Sequence, residues 1–383
     1  MSPFSDQHYY PPLFDLPAQG NAPVIIESIT PYEFEDVVLI RARGSDGAEG
    51  IGTCNFRAKL LLPMLKELVI PAFLGKDARE LESLVNEVYV FRANYKYQGT
   101  PLWNCVSYVE AAIWDLLGRV WGKSVSDLIG GAWREKIPIY LSCMRRDNSA
   151  EEEVEMLKRR LDKTGAKAVK FKIGGRMRNN EDSIPGRTDA LLPMAREVLG
   201  DDITLYVDAN SSYDHKKAIE IGRVLEDLDY GWFEEPCAFE QYEETKAVAD
   251  ALDITVAGGE QDCNMGHFRV MIRDHVVDLV QPDLMYNGGL IRALRVADLA
   301  RQYGIPITPH SPKHNPELAT LLHFAATVRH TGPYMEYPVV PVEFSDWYRP
   351  HFAVEPGGFV SAPQGPGLGV EYDAEIWSRA KKL

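Results

Sequence analysis

The chain has 383 residues, 45% hydrophobic and 25% charged, which suits a large globular core in about two domains. A net charge of −15 argues against nucleic acid or an anionic membrane as partner, while a local cation cluster or a metal still admits a small anionic substrate. No apolar run is long enough to cross a membrane, and the five cysteines are scattered without a CxxC pair, so neither a disulfide framework nor a zinc site is expected.

The first residues lack the basic start and apolar core of a signal peptide, and a reducing cytoplasm fits the cysteine usage. Strand patterns come first, at residues 24–34, 36–44 and 50–56, with a Ser-Asp-Gly turn signal between the last two. Helical periodicity follows, as in residues 60–74 and 106–122. Strands followed by helices predict a small α+β domain over residues 1–133.

From residue 134 to 340 the rhythm changes. Short apolar strands are read at residues 137–143, 168–174, 203–210, 229–235, 254–260, 276–283, 305–310 and 333–337. Amphipathic helices lie between them, the first opening after an Asn148-Ser149 cap signal. Eight β units in unbroken alternation predict an α/β fold of the (β/α)8, TIM-type barrel class rather than an open doubly wound sheet. Residues 341–383 are rich in Gly and Pro and are expected to run back to the first domain.

Polar residues close these strands at regular intervals. Asp208, Glu234, Glu260, Asp283, His310 and Glu336 are spaced by 23 to 27 residues, about the length of one strand, one helix and two loops. Each therefore belongs at the C-terminal end of a successive strand, where barrel active sites are built. Asp208, Glu234 and Glu260 are three carboxylates that need a cation to stay ionised together, and hard oxygen ligands suit one Mg²⁺, or Mn²⁺ in its place. Lys170 and Lys172 share one strand face beside them, and each lowers the other's affinity for a proton, so Lys172 reads as a base. Lys170 either balances the acids as an ion pair or holds a substrate carboxylate. Asp283 beside His310 fixes the imidazole as a second acid/base on the far side. Glu336, in an apolar setting, is expected to stay protonated and donate a hydrogen bond.

These segments resemble the mandelate racemase subgroup of the enolase superfamily: KFKIG, VDAN, FEEP, GGE, QPDLMYNGG and IPITPH in the barrel, SYVEAAIWDLLGR before it and GPGLGVEYD after it. The resemblance implies Lys172 as base with Lys170 as helper, and Asp208, Glu234 and Glu260 as metal ligands. It also implies an Asp283–His310 dyad, Glu336 bonding the enolate, and Asn210 touching substrate. It makes the first domain a cap, completed by the C-terminal segment, whose loops close over the barrel mouth. The connection between the first two strands is too short for the usual covering loop, so Tyr9, Tyr10 and Phe14 are expected to replace it. The reaction implied is Mg²⁺-dependent dehydration of an aldonic or aldaric acid through a metal-stabilised enolate, giving a 2-keto-3-deoxy acid. Racemisation or epimerisation of a 2-hydroxy acid by the same two bases is the alternative, and a non-catalytic acid-binding barrel is the alternative of another class. Relatives of this kind are homo-oligomers, which the resemblance extends to this chain.

Overall fold

In the computed structural model, which describes residues 11–177 and 179–383, strands β1 (Ile26–Phe34), β2 (Val37–Gly44) and β3 (Glu49–Thr53) form an antiparallel meander. Its buried face packs on the long helix α4 (Thr100–Trp121), reached through α1 (Ala58–Met64), α2 (Ile70–Phe73) and α3 (Leu81–Val90). The helix expected over residues 60–74 runs continuously through residues 58–73, with one widened turn, Leu65–Val69, between α1 and α2. Pro71 explains it: a proline offers no amide to the preceding turn and crowds its carbonyl. A short helix, α5 (Val125–Leu128), leads to the barrel.

The barrel strands are β4 (Lys136–Ser142), β5 (Ala168–Lys172), β6 (Thr204–Asp208), β7 (Trp232–Glu234), β8 (Thr255–Gly258), β9 (Leu279–Val280) and β10 (Met335–Pro338). They pair in parallel in chain order, and β10 returns to β4. The strand expected at 305–310 is reduced to Ile307, which bridges Val280 on one side and Thr331 on the other. Pro306 and Pro309 flank it and cannot donate to a ladder, so the ring closes there by single bridges. Helices α6 (Ala150–Thr164), α7 (Arg187–Leu199), α8 (His215–Asp227), α9 (Tyr242–Ala251), α10 (Met265–Arg273), α11 (Leu290–Gln302) and α12 (Leu318–Thr327) alternate with the strands. α6 starts as expected: Ser149 and Glu152 cap each other's backbone in a capping box.

Inward side chains alternate along each strand. The lower layer is apolar and aromatic: Tyr206 stacks on Trp232 with ring centroids 3.4 Å apart, and Tyr140 meets both edge-on. The layer above it is polar. Past the barrel, β11 (Tyr348–Arg349) pairs with β13 (Glu371–Tyr372), β12 (Phe359–Ser361) with β4, and β14 (Lys381–Lys382) with β1 of the cap. Phe14 packs edge-on against Trp114 of α4, and Glu82 accepts the Leu13 and Phe14 amides while pairing with Arg295 of α11. Residues 11–16 thus sit in the seam between cap and barrel; Tyr9 and Tyr10 lie outside the described residues. Among the described residues no helix is long and apolar enough to cross a membrane.

Candidate active site

Parallel register assembles the site. Lys172 lies opposite Asp208, and Asp208 opposite Glu234, so consecutive strand ends share one level. Carboxylate oxygens of Asp208, Glu234 and Glu260 come within 4.8 Å of one another, all buried. Lys172 donates to Asp208. Lys170 reaches Glu234 at 2.6 and 2.8 Å and Glu336 at 3.1 Å. On the opposite side His310 Nδ1 lies 2.8 Å from Asp283, while its Nε2 lies 3.3 Å from Glu260 and 3.8 Å from Glu336. Asp283 is fixed in turn by the Met285 and Tyr286 amides, at 2.8 and 2.9 Å. Asn210, at φ +41, donates to Asp208 and Glu235.

The fields here oppose burial. Burial alone would discharge His310, but Glu260, Glu336 and Asp283 push it up to about 10. Burial raises Glu234 to about 8 against the pull of Lys170, with Asp208 and Glu260 adding repulsion. Asp208 resists burial because Lys172 and Lys170 face it, and it stays well below the ordinary carboxylate range.

One expectation is corrected. Glu336 is not held protonated: burial would raise it, yet Lys170, His310 and Lys172 outweigh burial and hold it down to about 2. Lys170 pairs with the acids, one of the two roles expected of it; burial disfavours the cation, but Glu234 and Glu336 hold it well above the usual lysine range.

Three residues at the site escaped the sequence reading. Gln281, just past β9 and two positions before Asp283, donates to Glu234 at 2.8 Å. Glu235, adjacent to Glu234, turns away at φ +42 to meet Asn210, and burial with the Glu260 and Asp208 charges raises it well above the carboxylate range. Arg146 donates to Asn210 at 2.7 Å. It follows the first barrel strand, whose end carries no acid and so lay outside the spacing pattern.

Fold and site define a barrel enzyme whose acid- and base-lined mouth is covered by a second domain. The chain belongs to the mandelate racemase and muconate lactonizing enzyme family of the enolase superfamily: residues 16–130 match the N-terminal domain of that family and residues 152–376 match the enolase C-terminal domain-like model. It is 30% identical to the D-galactarolactone cycloisomerase of Agrobacterium fabrum over 88% of this chain and 89% of that one. It is 28% identical to the arabinonate dehydratase of Saccharolobus solfataricus over 87% of each. A mandelate racemase/muconate lactonizing protein of Paracoccus denitrificans, solved complexed with magnesium, is 28% identical with a TM-score of 0.84, covering 94% of this chain and 99% of that one.

Proposed function

We propose that this enzyme is a hydro-lyase of sugar acids, aldonic or aldaric. It removes the proton α to the substrate carboxylate and eliminates the β-hydroxyl, leaving a 2-keto-3-deoxy acid. One observation carries this reading: two proton-handling side chains flank one carboxylate cluster, Lys172 on Asp208 and His310 3.3 Å from Glu260.

Asp208, Glu234 and Glu260 would hold Mg²⁺, or Mn²⁺ in its place. Their donors are all buried oxygens, and Glu260 Oε2, which faces His310 Nε2 at 3.3 Å, makes no hydrogen bond among the described residues, which fits a hard divalent cation. Such an ion supplies positive charge where the substrate carboxylate gains electron density. Lys172 Nζ takes the α proton. Asp283 binds His310 Nδ1–H, so Nε2–H is the proton given to the leaving oxygen. Lys170 holds Glu234 and Glu336 in place beside the substrate carboxylate, and Asn210 meets a substrate hydroxyl.

The dehydratase relative supports this elimination. The cycloisomerase relative supports a variant in which the departing oxygen belongs to a lactone ring. Incubation with Mg²⁺ and a panel of acid sugars in D₂O tests the reading. A keto acid trapped by semicarbazide is expected. Deuterium at the α carbon without keto acid identifies a racemase or epimerase instead, and neither exchange nor product rejects proton abstraction altogether.

A further inference from the structure

The cations at the heart of the mouth are already matched. Lys170 serves Glu234 and Glu336, Lys172 serves Asp208, and His310 serves Asp283 and Glu260. Arg146 is not. Its Nη2 donates to Asn210 Oδ1 at 2.7 Å, and Asn210 donates on to Asp208 at 3.0 Å, so the guanidinium borders the carboxylate cluster. Its Nε is buried without a hydrogen-bond partner, and no carboxylate lies within ion-pair reach of it among the described residues. The nearby Asp208 is taken by Lys172.

A second arginine is held close by. The Arg176 amide bonds Ser212 Oγ at 2.9 Å, and the Met177 amide bonds Asn210 O at 2.8 Å, both residues at positive φ. This ties the loop after β5 onto the Asn210 segment. The Arg176 side chain is exposed and has no acid partner among the described residues. Burial disfavours the Arg146 cation, Asp208 favours it, and Arg176 and Arg187 disfavour it again. Arg187 is satisfied elsewhere, by Asn148 O, Lys172 O and Glu153. Arg146 is half-buried with an unpartnered Nε, and Arg176 rises from a loop tied to the same Asn210 segment; positive charge placed there without an acid is costly unless an anion completes it. In a chain of net charge −15 such a pair is not a by-product of excess base.

We infer that Arg146 and Arg176 receive the second carboxylate of a dicarboxylic sugar acid, so that the substrate is an aldarate rather than an aldonate. This rests on the reading above, in which the first carboxylate lies at Asp208, Glu234 and Glu260. A guanidinium fork matches a carboxylate in charge and in geometry. The terminal hydroxyl of an aldonate supplies neither.

Titration calorimetry of the Mg²⁺-loaded full-length enzyme tests this, using four- to six-carbon aldarates, each against the aldonate of the same configuration. Aldarates bind more tightly, and Arg146→Gln and Arg176→Gln each shrink that preference roughly 10- to 100-fold. Arg176 is exposed, so its variant decides the matter should the Arg146 variant fold poorly. Three outcomes overturn the inference: no aldarate binds, aldonates bind equally well, or the preference survives Arg176→Gln. A preference for aldarates without keto product defeats only the dehydration reading. Keto product from aldonates without that preference defeats only the second-carboxylate site.

Discussion

Lys170 and Lys172 sit two positions apart on one strand, yet their partners separate their tasks. Lys170 lies between two acids at 2.6 and 3.1 Å, whereas Lys172 faces one. Lys172→Met should lower kcat by about 10²–10⁴ and abolish α-proton exchange into D₂O, with the circular dichroism spectrum retained. His310→Asn should keep that exchange but lose keto acid, because the role proposed for His310 is to protonate the leaving oxygen. Loss of exchange in His310→Asn with retention in Lys172→Met would reverse the two assignments. The acid cluster could be read from the spacing: Asp208 and Glu234 share one level, and Glu260, just past the end of β8, reaches the same cluster. The charge of Glu336 could not. It depends on how closely Lys170 and His310 approach it, which strand spacing does not set, and the apolar local sequence pointed to the neutral form.

Helix α4 reaches the barrel through Glu110, whose carboxylate accepts the Leu290 and Ile291 amides at 2.6 and 2.8 Å and so caps α11. The preceding Gly289 has φ +109, and a Cβ there would meet Glu110 Oε2 at 1.6 Å. Gly289→Ala should therefore destabilise by about 1–3 kcal/mol or more, seen as a lower Tm, and should lower kcat because the same loop carries Asp283. An unchanged Tm would show the contact is slack. A second link between elements is titratable. His323 of α12 is buried against Ser126 of α5, 2.7 Å from its hydroxyl, and burial lowers it to about 4. Its folded pKa lies below the unfolded 6.5, so the unfolded chain binds the proton first. This contribution is complete above pH 6.5 and is lost as pH falls towards 4, on the order of 1–3 kcal/mol. His323→Gln should flatten the dependence of Tm on pH across that window, and an equally steep profile would remove His323 as the cause. Element types were legible wherever one period dominated, as in α6 with its Ser149 cap. They failed at Ile307, where flanking prolines remove a donor that apolar pattern alone does not register.

Across the whole molecule, cap and barrel share one continuous core, and the seam is sealed by residues 11–16, Glu82 and Arg295. The alternation of strand and helix announced the barrel. What Phe14 packs against was invisible, because its partner Trp114 lies a hundred residues on, in a helix that is apolar on most sides. On the proposed reading, the acid cluster would link global stability to metal. Mg²⁺ at about a hundred times its dissociation constant should stabilise the fold by about 2.7 kcal/mol, read as a rise in Tm that EDTA reverses and Glu260→Gln diminishes. No shift would mean the three acids bind no ion in the folded state. The stacked Tyr206 and Trp232 rings, edged by Tyr140, plug the lower end of the barrel. Traffic is then one-ended: a departing keto acid leaves by the doorway the next sugar acid needs. Accumulating product should accordingly compete with substrate, raising KM while leaving kcat untouched.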